Sequence, residues 1–570
     1  MKPITCPTPA VPEFRSANGR CNNRNHPLWG SSEQPLRRLL QPEYGDGLMT
    51  PRTTGHDGAP LPSARLVSTT MHEDLRKSSP VNTNMVMQFG QFLDHDITLT
   101  PNFQEEGLVC TCGTNCEKEE RCFNINIPSD DPDFAAESRC LPFARSRSCP
   151  NEGCHMGRRQ QLNQITAFVD ASNVYGSSDE EIEELREHAG NANKKELLPA
   201  AIAEEFECHE SPGNETCSQA GDIRVNEQPG LTSMHTVFLR EHNRIARRLS
   251  RLNPHWDDDR VFFETRKIVG ALMQKITYGE DLPHVLGPAA MTKFHLTLGK
   301  SGFFSGYDAS VNPTISNVFA TAAYRFGHSL VNERQLRLTP DFNQGSKCPI
   351  QIAFAFFNPS HVLNNDLGGP DSILRGLTAQ PHQDFDRFMV SSLTRHLFAD
   401  PPGSLGLDLA ALNIQRGRDH GLPGYNAWRV RCGLPKADSF DELVFEIPDR
   451  YTRMRLEDIY SHVDDIDVFV GGLAEESVRG GVVGPTFACL IGLQFQDLRK
   501  GDRFWFENRG QFTAAQLAEI RKTSLARILC DNTDGTTHMQ PDVFSLPTQT
   551  GNERVACSSL SQMDLTKWQE

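Results

Sequence analysis

The residues Met85 to Asp96 read Met-Val-Met-Gln-Phe-Gly-Gln-Phe-Leu-Asp-His-Asp. This run constrains the fold more than any other stretch of the chain. Ser79 is a candidate N-cap and Pro80 a candidate first helical residue, and Pro101 sets the latest stop. On a helix, Gln91 and His95 share one face, one turn apart. Asp94 and Asp96 point ~100° to either side of His95. One short element therefore aims an amide, an imidazole and two carboxylates in three adjacent directions. Unpaired charges are costly among Met, Val, Phe and Leu. The chain must either leave this run on a solvated face or give each polar group a partner.

The chain has 570 residues, with 57 Lys and Arg against 73 Asp and Glu, a net charge of −16. That balance argues against nucleic acid or an anionic membrane as a partner. No apolar run reaches the length of a transmembrane segment. Met1 to Thr5 are too short for a signal peptide. Sixteen cysteines, mostly among Gly, Asn, Pro and Ser, point to an oxidising compartment. Asn214-Glu215-Thr216 is a glycosylation sequon. The chain reads as a secreted or ectodomain module whose leader or preceding domains lie outside this sequence. The uneven spacing from Cys112 through Cys116 to Cys122 favours disulfides over zinc knuckles.

Residues 1–65 are irregular, and Cys6 pairs most simply with Cys21. Thr166, Phe168, Asp170 and Ser172 alternate, so in an extended segment they share one side. Hydroxyls, a carboxylate and main-chain carbonyls there are the oxygen donors a hard cation such as calcium takes; an ordinary polar turn fits the same residues. An acidic helix follows from Ser178. Arg224 and Glu227 lie in a loop before a long helix with Met234, Val237, Phe238, Ile245 and Leu249 on its apolar face. Further helices are expected over 255–298. Asn317 to Val331 reads as a nearly all-apolar helix with His328 inside it, either a core histidine or an axial haem ligand. Another amphipathic helix is expected over 385–400. The tail after Cys557 is polar and expected to fray. Strand signals are sparse, and no repeat or linker divides the chain.

Seven motifs in order resemble the animal haem peroxidases: Gln91-Phe-Leu-Asp-His-Asp96, Thr166-Ala-Phe-Val-Asp-Ala-Ser172, Gly221-Asp-Ile-Arg224 with Glu227, Leu231-Thr-Ser-Met-His-Thr236, Arg240-Glu-His-Asn243, Tyr324-Arg-Phe-Gly-His328 and Gln415-Arg-Gly-Arg-Asp-His-Gly-Leu-Pro-Gly-Tyr-Asn426. The resemblance runs from about Cys6 to Cys557. It implies a mainly α, disulfide-stapled domain over 66–557 around a buried haem b, with 1–65 packed on it and 558–570 as a tail. It casts His95 as the distal base, Arg224 as its electrostatic partner and Gln91 as the distal amide. His328 takes the role of iron ligand, Asn413 orients it, and Arg325 contacts a haem propionate. Asp94 and Glu227 become the carboxylates esterified to haem. Asp96, Thr166, Phe168, Asp170 and Ser172 become the calcium ligands. The implied disulfides are Cys112–Cys122, Cys116–Cys140, Cys208–Cys217, Cys432–Cys489 and Cys530–Cys557, with Cys110, Cys149, Cys154 and Cys348 unassigned.

The activity so implied is oxidation by hydrogen peroxide, through compound I, of halides, thiocyanate or phenolic and tyrosyl donors. Gln228 stands where one branch has a methionine bonded to haem, so two esters and no sulfonium link are expected, with weak chloride oxidation. Phe89 stands where many relatives have Trp. Two other readings compete. Lys500-Gly501-Asp502 resembles the integrin-type tripeptide of the peroxinectin branch, which would make the chain an adhesion or matrix protein. A fatty-acid haem oxygenase would need a radical-bearing tyrosine near His328, and Tyr324 belongs to the peroxidase motif instead.

Overall fold

The computed structural model describes residue 6 and residues 14–112, 119–134, 139–148, 157–186, 217–345 and 348–570. The architecture is mainly helical. Among the described residues, β structure is confined to two-stranded antiparallel pairs, such as Gln34–Pro35 with Leu162–Asn163, and isolated bridges. One large apolar core runs from Ala17 to Trp568.

Helix α1 (Ala64–Met71) packs against Leu409–Asp419. Helix α2 (Met85–Ile97) carries Gln91 to Asp96 and is nearly enclosed. It begins later than its capping signal predicts. Ser78–Thr83 is a strand paired with Pro381–Gln383, and Asn84 N donates to Gln380 O at 2.7 Å. A partner some 300 residues away thus takes the backbone that Ser79 and Pro80 would have turned into helix. Helix α3 (Ser172–Tyr175) and helix α4 (Asp179–Glu184, capped by Ser178) follow.

Helix α5 (Pro229–Leu252) is the longest among the described residues and packs against α2. Pro229 supplies the preset φ of a first helical turn. Helix α6 (Asp258–Ile276) passes through a π turn (Thr277–Asp281) into α7 (Leu282–Lys293), which Gly287 and Pro288 interrupt.

The expected Asn317–Val331 helix is broken. Helix α8 (Asn317–Thr321) ends where Ala322 leaves helical geometry, and Ala323–His328 winds as a 3-10 turn. Arg325 Nε caps the freed Ala320 carbonyl at 3.0 Å. The 3-10 turn lies against α2. Residues 385–400 form no long helix; only Ser391–Thr394 is helical. Val390, Leu393 and Leu397 instead fill a small second core with Ile352 and Phe356.

The tail does not fray. Leu565–Trp568 forms a 3-10 turn, Trp568 is buried, and Asn253 Nδ2 donates to its carbonyl at 2.9 Å. Disulfides join Cys6–Cys21, Cys432–Cys489 and Cys530–Cys557 as expected. Two others correct the implied pairing: Cys110 bonds Cys122, and Cys112 bonds Cys140. Antiparallel pairing sets Cys140 opposite Asn126, and an isolated bridge joins Cys122 to Ala144. Cys348 is free and exposed. Cys217 is disulfide-bonded, while Cys116, Cys149, Cys154, Cys208 and the sequon at Asn214 lie outside the described residues.

Candidate active site

The last turn of α2 sends its three polar side chains to three places, as the helical period requires. His95 is 4 % exposed. Its Nδ1 lies 3.6 Å from Asp222 Oδ1, and its Nε2 lies 4.0 Å from Glu227 Oε2. Burial, and after it the charge of Arg224, holds the imidazole well below its ordinary pKa. It is a neutral base at neutral pH.

Arg224 is latched by Asp222. Its Nε and Nη2 donate to Asp222 Oδ1 and Oδ2 at 2.8 and 2.7 Å, and Nη2 also reaches Thr98 O at 2.8 Å. Asp222 is fully enclosed; burial pushes its pKa up, but Arg224 overrides that and holds it at about 2. The same carboxylate caps the Ile223–Asn226 turn by accepting from Arg224 N. Asp222 stands in the Gly-Asp-Ile-Arg motif, yet the sequence reading gave it no role. The signal was there: an N-cap Asp two residues before an Arg.

Asp94 Oδ1 accepts from Thr98 Oγ1 at 2.8 Å, and its Oδ2 lies 3.9 Å from Arg224 Nη1. Burial raises Asp94, and burial raises Glu227 to about 7. Both carboxyls also feel the charge of Arg325, so residues from α2, the arginine loop and the 3-10 turn lie within electrostatic reach of one another. At the end of the 3-10 turn the Asn413 amide nitrogen lies 2.8 Å from His328 Nδ1, and Asn413 Oδ1 accepts from Arg325 Nη1 at 2.7 Å. Burial, then Arg325, lowers His328 to about 3, leaving a neutral imidazole.

Asp96 points toward the 166–173 loop. Its Oδ2 accepts from Asp170 N and Ala171 N at 3.1 and 3.2 Å, and its Oδ1 from Ser172 Oγ at 3.1 Å. Thr166 Oγ1 donates to Asp170 Oδ1 at 3.1 Å. Burial raises both carboxyls, and the charge of Asp170 adds to the rise of Asp96, to about 8. Asp170 Oδ2 is buried without a hydrogen bond, although Arg15 Nε stands 3.7 Å away. Two enclosed carboxylates among hydroxyls and main-chain groups suit a hard divalent cation. Phe168 could join only through its carbonyl, because its side chain has no donor atom; its ring lies against Gly19 and Gly30. Ala171 has φ +63° and turns the loop back on itself.

Gly221 couples the two loops. A Cβ there would clash with Gly176 N and Ser172 O, so only glycine lets the arginine loop lie on α3. Gln91 sits one turn before His95 beside two amides that sequence reasoning gave no part in the site, Gln88 and Gln228. Gln88 was legible as the residue three before Gln91 on the same helical face.

The adhesive tripeptide is not presented. Asp502 is 1 % exposed, bonded by Arg15, Asn22 Nδ2 and Gln274 Nε2. Its carboxylate is spent inside the fold, where no receptor reaches it.

Comparison with known proteins fits this geometry. The chain is 42 % identical over 588 residues to the peroxidasin homologues of Mus musculus and Homo sapiens, covering 98 % of this chain and 39 % of theirs. It is 41 % identical over 616 residues to human thyroid peroxidase, covering 100 % of this chain and 64 % of that one. The chain thus spans about two fifths to two thirds of the length of these curated relatives. Peroxidase A of Dictyostelium discoideum superposes with a TM-score of 0.77 at 31 % identity, covering 94 % of this chain and 100 % of that one. The fatty acid alpha-dioxygenase of Oryza sativa reaches 0.72 at 18 % identity, covering 94 % and 88 %, a likeness of fold alone. The family model for animal haem peroxidase matches residues 14–544, and the chain belongs to that family.

Proposed function

We propose that this chain is a secreted haem peroxidase that uses hydrogen peroxide to oxidise small anions, such as halides and thiocyanate, or phenolic and tyrosyl donors. The observation that carries the reading is a neutral, buried His95 beside an Arg224 that Asp222 holds in place. His95 Nε2 takes the proton from the near oxygen of the peroxide and returns it to the far oxygen. Arg224 stabilises the negative charge that develops as the O–O bond breaks. Asp222, 3.6 Å from Nδ1, steadies the imidazolium while it carries the proton.

The haem, when bound, supplies the redox chemistry. The residues fit it. His328 Nε2 is the nitrogen left for iron, since Asn413 contacts Nδ1. Asn413 would orient the ring through Nδ1, and Arg325 would contact a haem carboxylate. Asp94 and Glu227 are the carboxyls that would form ester bonds to the cofactor, and Gln228 has no sulfur for a sulfonium bond. Asp96, Asp170, Thr166 and Ser172, with the Phe168 carbonyl, would hold calcium. The disulfides support secretion. The buried Asp502 removes the main support for an adhesive role.

The test is an absorption spectrum of the purified protein before and after acid–organic extraction, followed by rapid mixing with hydrogen peroxide. A Soret band that resists extraction and responds to peroxide is expected. A protein that takes up no haem, when haem and calcium are supplied, would sink the reading. The pH dependence follows from His95. Its pKa lies below the ordinary 6.5, and only the neutral ring accepts a proton. The acidic limb of kcat/KM for peroxide is therefore expected below pH 6.5; a limb centred above pH 7 would remove His95 as the base.

A further inference from the structure

We propose that Gln228 is a positioning residue that fixes which end of the Gln91 amide faces substrate, and so gives the distal pocket its preference for anions. The inference rests on the reading of Gln91 as the distal amide.

The argument follows the direction of each hydrogen bond. Gly230 N–H, in the first turn of α5, can only donate, and it donates to Gln228 Oε1 at 2.8 Å. The Gln228 amide is thereby locked with its NH2 turned toward α2. That NH2 donates to Gln88 Oε1 at 2.8 Å and to Gln91 Oε1 at 2.9 Å. Gln88 Nε2 adds a longer contact to the same Gln91 oxygen, at 3.4 Å. The Gln91 carbonyl is thus committed inside the protein. Its NH2 is the end left over, and among the described residues no protein group accepts from it.

A backbone N–H at a helix start, which cannot reverse its polarity, thus dictates through two side chains that Gln91 is a donor. A donor NH2 beside His95 attracts a thiocyanate or halide ion; a reversed amide would offer such an ion a carbonyl oxygen. Glycine at 230 is part of the device. A Cβ there would run into Gln335 Nε2 and Gln88 Oε1.

The test is thiocyanate affinity of the haem-loaded protein, read as the spectral change on titration, in wild type, Gln228→Leu, Gln91→Leu and the double variant. Leucine brings no charge and no sulfur to the haem. Gln228→Leu is expected to weaken thiocyanate binding about 5–10-fold. Gln91→Leu should weaken it at least as much, and the double variant should be no worse than Gln91→Leu, because one residue acts through the other. Thermal unfolding of each variant checks that the helix start survives. Unchanged affinity in Gln228→Leu overturns the proposal. So do losses in the two single variants that simply add, and a haem-loaded wild type, active on tyrosine, with no thiocyanate affinity. Failure to take up haem at all would overturn the peroxidase reading instead.

Discussion

Replacing Asp222 by asparagine is expected to lower kcat/KM for hydrogen peroxide about 10²–10³-fold, the cost of losing one preorganised electrostatic group. Asparagine keeps the shape and one acceptor, but it removes the charge that holds Arg224. Arg224 then becomes a partly buried cation with Asp94 as its nearest carboxylate, at 3.9 Å. Breaking such a pair from one side is costly, up to about 3 kcal/mol here. A merely structural role would stop at that loss of stability. The positioning role adds a signature in the pH profile. The Asp222 charge favours the imidazolium form of His95 and raises its pKa. Removing the charge must lower that pKa further, so the acidic limb should move to lower pH in Asp222→Asn. Stopped-flow rates with peroxide between pH 4 and 8 check both outcomes. Wild-type rates, or a limb that moves upward, would show that Asp222 only shapes the loop.

The contrast between Asp222 and His95 shows how much of this site can be read from sequence. Asp94, His95 and Asp96 were legible because a helical period alone sends three consecutive side chains three ways, and the structure gives each its own surroundings. The start of α2 was not legible. The Ser79-Pro80 signal is local, whereas the strand that overrides it depends on Pro381–Gln383. The 385–400 pattern failed for a related reason: Val390, Leu393 and Leu397 fit a helix period but meet Ile352 and Phe356 from a backbone that is helical only over Ser391–Thr394. The cysteine loop gave its residues but not its pairs, Cys110–Cys122 and Cys112–Cys140, which spacing along the chain does not decide. Lys500-Gly501-Asp502 misled because its partners, Arg15 and Asn22, are more than 470 residues away. The amide chain through Gln88, Gln91 and Gln228 stayed hidden because it joins two helices that only the tertiary fold brings together.

Chelation of the calcium proposed at Asp96 and Asp170 is expected to cost the protein stability and catalysis together. Asp96 and Asp170 are enclosed carboxylates that oppose each other's ionisation. A divalent cation turns that repulsion into a bond, worth about 4 kcal/mol when it is present at 1,000 times its dissociation constant. The damage should not stay local. Asp96 ties the end of α2 to the 166–173 loop, and Gly221 rests the arginine loop on the same α3. A slackened loop therefore moves His95 and Arg224 at once, and a misplacement of ~1 Å costs on the order of 10²-fold in rate. Proton competition sets the sign of the pH effect. Without the cation, burial and Asp170 raise Asp96 to about 8, above its value in the unfolded chain. The folded state then holds the proton more tightly, so stability of the chelated protein falls as pH rises between those values. Calcium binding needs the ionised carboxylates and grows stronger over the same range. The difference in unfolding temperature between calcium-loaded and chelated protein should accordingly widen from pH 5.5 to pH 7.5. Peroxide turnover should fall with it and return when calcium is restored. A difference that narrows with rising pH, or turnover unmoved by chelation, would separate the Asp96 loop from the catalytic pair.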